Sequence, residues 1–256
     1  MKSIHFIISA AAVLLVAGAT SQARDFDHSH KALTEVLETH VHGARVDYPA
    51  LKQSPDKLNG YLDTLAAVTR SEYDAWNREQ QMAFLINIYN AATLKLIIDN
   101  YPVSGIRRIG GLFGLGSPWK MDIVRMFGEK VTLDHVEHEV LRPDFKEPRI
   151  HFAVNCASIG CPDLRKEAFR AADLENQLEE QTKAFLRDRT RNRLDIENRT
   201  LHLSRIFDWY EEDFVEASGS VANFVAPYFT ERERAFIEQG DIRIRHTRYD
   251  WDLNDR

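Results

Sequence analysis

The 256-residue sequence contains only two cysteines, Cys156 and Cys161, which excludes a scaffold held up by many disulfides. It has no long run of one charge: 33 basic residues stand against 39 acidic ones, for a formal net charge of −6. Without a basic patch, a hold on nucleic acid is not expected. Proline (8) and glycine (12) are sparse, and no repeat, low-complexity block or linker interrupts the chain. Collagen-like and disordered classes are thereby excluded. A chain of this length with 44% hydrophobic residues can bury a sizeable core without metal or disulfide, so neither is required for stability.

Long apolar runs are also scarce, and the first one reads as an address. Lys2 precedes Ile4 to Ala19, apolar apart from His5 and Ser9, and Ser21-Gln22-Ala23 has the small-x-small form of a signal-peptidase site. Residues 1–23 are therefore expected to be a cleaved secretory signal, with Ala17-Gly18-Ala19 as a competing cleavage site. The run is shorter than the roughly 20 residues of a membrane-spanning helix. No cysteine follows it for lipid attachment, so no stable membrane anchor is expected after cleavage. Residues 24–256 are expected to form one periplasmic or secreted domain, where a thiol pair tends to be oxidised.

Along that domain, Leu33, Val36, Leu37 and Val41 recur at helical spacing up to Gly43, and Val46 to Pro49 reads as extended or turn. Ser54-Pro55-Asp56 opens a helix whose stripe is Leu58, Leu62, Leu65 and Val68. Residues 80–99 are apolar nearly all round, the mark of a central, surrounded helix. Ile109 to Trp119 is glycine-rich but has neither phosphate-loop nor dinucleotide-loop spacing, and reads as a packed connector or a flap. Asp134 with Glu137 resembles a capping pair for a short helix stopped by Pro143. Residues 149–155 alternate Ile150, Phe152 and Val154 against His151, Ala153 and Asn155, a strand pattern. Residues 174–186 read as a helix and 193–204 as a hairpin. The segments 206–214, 221–229 and 231–239 read as helices, and 242–248 as a closing strand. The fold class expected is α+β: a single helix-rich domain whose long buried helix packs on a small, mostly antiparallel sheet.

Several blocks in series then identify a family. They are residues 83–91 with Asn87, Tyr89 and Asn90; 133–142 with Glu137 and His138; and 149–162 with His151, Asn155, Cys156, Ser158, Cys161 and Pro162. With Leu203 to Tyr210 and the closing Tyr249 to Asn254, they resemble domain-of-unknown-function family 547, in order, from about Val46 onward. The resemblance implies which positions form the family pattern and attaches no biochemistry to them.

The chemistry of the cysteine loop leaves four readings open. Cys156 and Cys161 flank a four-residue turn, which in an oxidising compartment suits a local disulfide that shapes a ligand- or partner-binding surface. Alternatively, Cys156 or Cys161 is the nucleophile of a hydrolase or acyl transferase acting on a peptide or amide bond. His138 is then the base, Glu137 (or Asp134) its orienter, and Asn87 with Asn90 the donors near the oxyanion. His151 lies five residues before Cys156 on the expected strand and so points to the opposite face. A His/Cys metal site using His135 and His138 is arithmetically possible, and a redox-cycling thiol pair lacks the usual Cys-x-x-Cys spacing. The catalytic candidates are thus Cys156, His138, Glu137 and Cys161, and the binding candidates Asn87, Asn90, Tyr89, His151, Asn155 and Ser158. No cofactor is indicated, and the expected partner is a small-molecule or peptide ligand. Asn87 and Asn90 share a helix face and also suit backbone clamps, Trp209 with Tyr210 and Trp119 with Phe113 read as core aromatics, and Glu211 to Asp213 and the tail from Asp250 to Asp255 as solvated surface.

Overall fold

A computed structural model describes residues 25–110 and 116–256; the expected signal at 1–23 and positions 111–115, with Phe113, lie outside the described residues. Helix α1 (Lys31–His40) leads into a two-residue hairpin, β1 (Val41–His42) and β2 (Arg45–Val46). The segment expected to be extended after Val46 instead forms α2 (Tyr48–Gln53). The Asp47 side chain accepts the Ala50 N–H and Pro49 occupies the first turn, where its missing donor is no loss. Helices α3 (Asp56–Ala66) and α4 (Arg70–Asp74) follow.

The central element is α5 (Arg78–Asn100), opened by an Asn77–Gln80 capping box and buried on every side from Met82 to Leu94. Its neighbours are α2, α3, the 135–141 segment and the short strand β3 (Val124–Met126), which pairs antiparallel with β4 (Glu129–Val131). A helix apolar all round needs partners all round, and helices supply most of them.

The α+β class holds, but the sheet is built differently from expectation. Residues 149–155 are not a strand: Pro148–Phe152 is a 3₁₀ turn that the Glu147 carboxylate caps at the Arg149 N–H. Pro148, Ile150, His151 and Phe152 are all buried there, so the alternation in the sequence reflects two apolar surroundings rather than a pleat. Ile150 joins the cluster around α5, whereas Phe152 joins a second cluster with Phe185, Phe207, Phe214 and Phe224. The three-stranded sheet belongs to that second cluster. In it β5 (Arg193–Asp195) pairs antiparallel with β6 (Thr200–Leu203), and β6 pairs parallel with β7 (Arg243–His246). Helices α7 (Leu174–Arg187), α8 (Ile206–Trp209), α9 (Glu211–Ser218), α10 (Val221–Val225) and α11 (Glu231–Glu238) complete the fold.

Between β4 and α7 the chain also departs from the expected capped helix. Residues His135–Leu141 form a π-helical stretch that continues into α6 (Arg142–Phe145), where Pro143 lies in the first turn instead of stopping the helix. The cap is Thr132, whose hydroxyl accepts the His135 N–H, and Asp134 makes no capping bond. The wider turn is seen in the Arg142 N–H, which bonds the Glu137 carbonyl five residues back.

The tail from Asp250 to Asp255 is not simply solvated surface, because its backbone is bonded into the fold. The Val46 N–H bonds the Asn254 carbonyl, the Asn254 N–H bonds Ala157, and the Ile159 and Gly160 N–H groups bond Asp252 and Asp250. Tyr48 donates to the Asn254 amide oxygen at 2.7 Å. The tail therefore ties the cysteine loop to the N-terminal hairpin. Gly160 permits the close approach, since a Cβ there would meet both the Asp250 backbone and the Tyr249 ring at 2.9 Å. Gly160→Ala is expected to lower stability by about 1–3 kcal/mol and shift the tail aromatics. Denaturant unfolding together with near-UV circular dichroism would show it; an unchanged midpoint and spectrum would refute the tie.

Candidate functional site

Where the two apolar clusters meet, the π-helical stretch, the turn at 148–152, the cysteine loop, α8 and the tail enclose a cleft of about 130 Å³. Six aromatic residues line it: Tyr89, Trp119, Trp209, Tyr210, Tyr249 and Trp251. Tyr249 packs at 4.8 Å from Trp209 and 4.5 Å from Trp251, and Trp119 meets Trp251 edge-on at 5.9 Å. Trp209 is 41% exposed, too open for the core role its sequence context suggests. Tyr89 is buried, and burial together with the charge of Glu137 pushes its phenol far up.

Cys156 and Cys161 are disulfide-bonded and form one wall. The loop between them is held at its base by Asn155, whose amide donates to the Pro162 carbonyl and accepts the Ala157 N–H. Asn90 reaches across from α5, donating to the Ala153 carbonyl at 2.9 Å and accepting the Asn155 N–H at 2.8 Å. Asn87 makes the same pair of bonds with the Phe169 backbone, at 2.7 and 2.9 Å. Both asparagines are backbone clamps with no place in the cleft lining, so neither serves an oxyanion there. Ser158 is buried, bonds the Cys156 carbonyl at 3.5 Å, and is bridged to Leu253.

The polar floor differs from the arrangement expected from spacing. His138 stands at the rim, with Nδ1 3.2 Å from the Arg142 guanidinium and Nε2 4.0 Å from Asp134. Glu137 does not orient it: this buried carboxylate accepts the Tyr210 hydroxyl at 2.7 Å and lies 3.9 Å from Nδ1 of His151. His151, expected on the face away from Cys156, shares the cleft with it, because a 3₁₀ turn does not alternate faces as a strand does. Its ring stacks on Tyr210 at 3.7 Å, and its Nε2 meets the Asp213 carboxylate at 2.7 Å. Arg142 grips the same carboxylate through Nε and Nη2, each at 2.8 Å.

The protonation pattern follows from these contacts. Burial pushes Asp213 up, but hydrogen bonds from His151 and Arg142 outweigh it and hold the carboxyl well below its usual range. An ionised carboxylate only accepts, so His151 carries its proton on Nε2. Burial pushes the imidazole below its ordinary value despite the nearby acids, which leaves a neutral ring with a lone pair on Nδ1. That Nδ1 is buried and has no hydrogen-bond partner.

Asp213 and Arg142 were not singled out from sequence. Asp213 sits in an acidic triplet that reads as surface, yet it is three residues past Tyr210 and one before the buried Phe214, a spacing that turns it inward. Among the described residues no group of three His, Cys, Asp or Glu side chains is arranged to hold a metal ion. His135 pairs with Glu139, and the sulfurs pair with each other. Nor does any histidine hydrogen-bond a sulfur there: Cys156 Sγ meets the Tyr249 hydroxyl at 3.2 Å, and Cys161 Sγ accepts the Cys156 N–H at 2.9 Å.

A larger groove of about 460 Å³ beside α3, α5 and β3 is lined by the ion pairs Lys95–Asp99 and Arg125–Asp63 together with Asp122 and Lys130. The smaller cleft is where Glu137, His138, His151, Cys156 and Cys161 come together. Residues 73–186 match a family described as "Protein of unknown function, DUF547". The match contains Asn87, Asn90, Glu137, His138, His151 and both cysteines, and leaves out Asp213 and the tail aromatics. No curated protein and no solved structure matches the chain.

Proposed function

We propose that this chain, which belongs to domain-of-unknown-function family 547 over residues 73–186, is an exported binding protein whose disulfide-walled aromatic cleft holds a small ligand. One observation carries the reading: both sulfurs that could serve as nucleophile are bonded to each other, inside a cleft lined by six aromatic side chains. A loop this short gains only about 2 kcal/mol from closure, so the bond contributes more to the shape of the wall than to the stability of the fold. Export is supported by the signal-like segment at 1–23 and by a disulfide, which persists in oxidising compartments. The test is alkylation and mass spectrometry of protein purified from the periplasm without reductant. The expected result is no labelled cysteine before reduction, two after, and a linked Cys156–Cys161 peptide. A thiol that alkylates rapidly below pH 7 would contradict it.

The His151–Asp213 pair favours a second reading, a hydrolase unmasked by reduction. A dithiol reductant gives two electrons and two protons to the disulfide and is itself oxidised, leaving two thiols. His151 Nδ1 then takes the Cys156 proton, the thiolate forms a thioester with an amide substrate, and the amine leaves with that proton. Water releases the acid and regenerates the thiol. In this scheme the base is His151 and the orienter Asp213, in place of His138 and Glu137.

A further inference from the structure

The lining of the cleft is one-sided in charge. Asp134 and Glu137 contribute two carboxylates, and among the described residues no lysine or arginine lines it. Glu137 is buried, its carboxylate is met by the Tyr210 and Tyr89 hydroxyls with Arg142 acting on it at longer range, and His151 is neutral beside it. With two carboxylates in the lining and no cationic side chain among them, the cleft favours a cationic occupant over an anionic one.

The aromatic rings make the same demand by another route. The face of an indole or phenol carries negative potential and attracts cations. Two of the six rings are already used in this way from outside the cleft lining: Arg142 lies 5.1 Å from the Tyr210 centroid and Arg107 5.0 Å from that of Trp251. Among the described residues no cation lies over Trp119, Trp209 or Tyr249. At about 130 Å³ the cleft is well below the roughly 300–1,000 Å³ of drug-sized sites, so only a compact head group enters it.

We infer that the ligand is a compact organic cation, an alkylated ammonium group of trimethylammonium size, held by Trp209, Tyr249, Trp251 and Trp119 over the Glu137 and Asp134 carboxylates. A hydrated metal ion would gain little from aromatic walls, and a primary ammonium would leave N–H donors facing rings; an alkylated one presents only methyl groups and charge. The inference rests on the binding reading, and names the ligand class of the same cleft.

The test is a titration of the oxidised mature protein with choline and with its uncharged isostere 3,3-dimethylbutan-1-ol, read by tryptophan fluorescence, since three of the four tryptophans line the cleft. The expected result is saturable binding of choline with at least about tenfold weaker binding of the isostere, the discrimination of one desolvated cation–π contact. Trp209→Ala, at a position 41% exposed, is expected to weaken choline severalfold, and Glu137→Gln to remove most of the preference over the isostere. Equal affinity for the two probes overturns the cation assignment and leaves the binding reading standing. So does an uncharged probe such as phenol or a monosaccharide binding where choline does not. Choline binding that neither variant changes places the cation elsewhere and also overturns it, and no saturable response to any probe sinks both readings.

Discussion

Replacing Asn90 with leucine is expected to destabilise the protein by about 2–6 kcal/mol. The substitution is nearly isosteric, so no cavity is created, but the Ala153 carbonyl and the Asn155 N–H lose their partner deep in the fold. Each buried backbone group left unsatisfied costs about 1–3 kcal/mol. Against an ordinary total of about 5–15 kcal/mol, such a variant is near the edge of folding. Asn87→Leu provides the internal comparison: it breaks the equivalent pair of bonds to Phe169, so a similar loss is expected. The two differ in what else they disturb, because only Asn90 anchors the segment that leads into Cys156. Urea unfolding measures both losses, and ligand binding at a temperature where both variants remain folded should weaken for Asn90→Leu alone. Losses under about 1 kcal/mol in both would show that the amides are dispensable.

Acidification from pH 6.5 to 4 is expected to remove about 3 kcal/mol through His30 alone. Burial, reinforced by His28 and opposed by Asp27, pushes this imidazole from its ordinary 6.5 down to about 4. Its Nδ1 bonds the Tyr61 hydroxyl at 2.8 Å, and its Nε2 is buried without a partner. The sign is fixed by which state takes up the proton. Below pH 6.5 the unfolded histidine is protonated while the folded one is still neutral, so stability is full above 6.5 and falls as the pH drops towards 4. The figure is 1.36 kcal/mol for each unit of the depression. His151 is depressed in the same direction by burial and adds to the loss, and the depressed Asp213 extends it below pH 4. His30→Gln retains a polar partner for Tyr61 and cannot titrate. Its unfolding free energy should depend visibly less on pH between 6.5 and 4 than that of the parent, and an identical slope would refute the assignment.

Helices were legible in the sequence wherever one surrounding dictates one period. The stretch at 80–99 is apolar on all sides because α5 is surrounded on all sides, and of the stripe Leu58, Leu62, Leu65 and Val68 all but the half-buried Leu62 are buried, where α3 packs against α1, α5 and β3. The hairpin at 193–204 and the helix at 174–186 were readable for the same reason. The segment 149–155 was not, because Ile150 and Phe152 enter different clusters and the resulting alternation imitates a strand. That misreading propagated to the site: with a pleat assumed, His151 points away from Cys156, and His138 becomes the better base. The residues of the cleft were largely legible as a set, since Glu137, His138, His151 and both cysteines do line it. Their partnerships were not, because Asp213 arrives from α9 and Tyr249 and Trp251 from the tail, contacts 62 to 93 residues apart in the chain that no local pattern encodes. The tail read as surface because acids alternate with its aromatics; Asp250 and Asp252 face solvent, while Leu253 and Asn254 are buried and Asp255 accepts the Tyr101 hydroxyl.

The central claim, that the disulfide shapes a binding cleft instead of masking a nucleophile, is tested most directly by comparing the mature protein in its oxidised and reduced states. Choline affinity and hydrolysis of a panel of amide and ester substrates would be measured on both, with Cys156→Ala and His151→Ala alongside. The account predicts binding by the oxidised form, weaker binding after reduction as the Cys156 to Cys161 wall loosens, and no turnover in either state. Turnover that appears on reduction and vanishes in both variants would contradict it, and would make His151 and Asp213 the base and orienter of a thiol hydrolase.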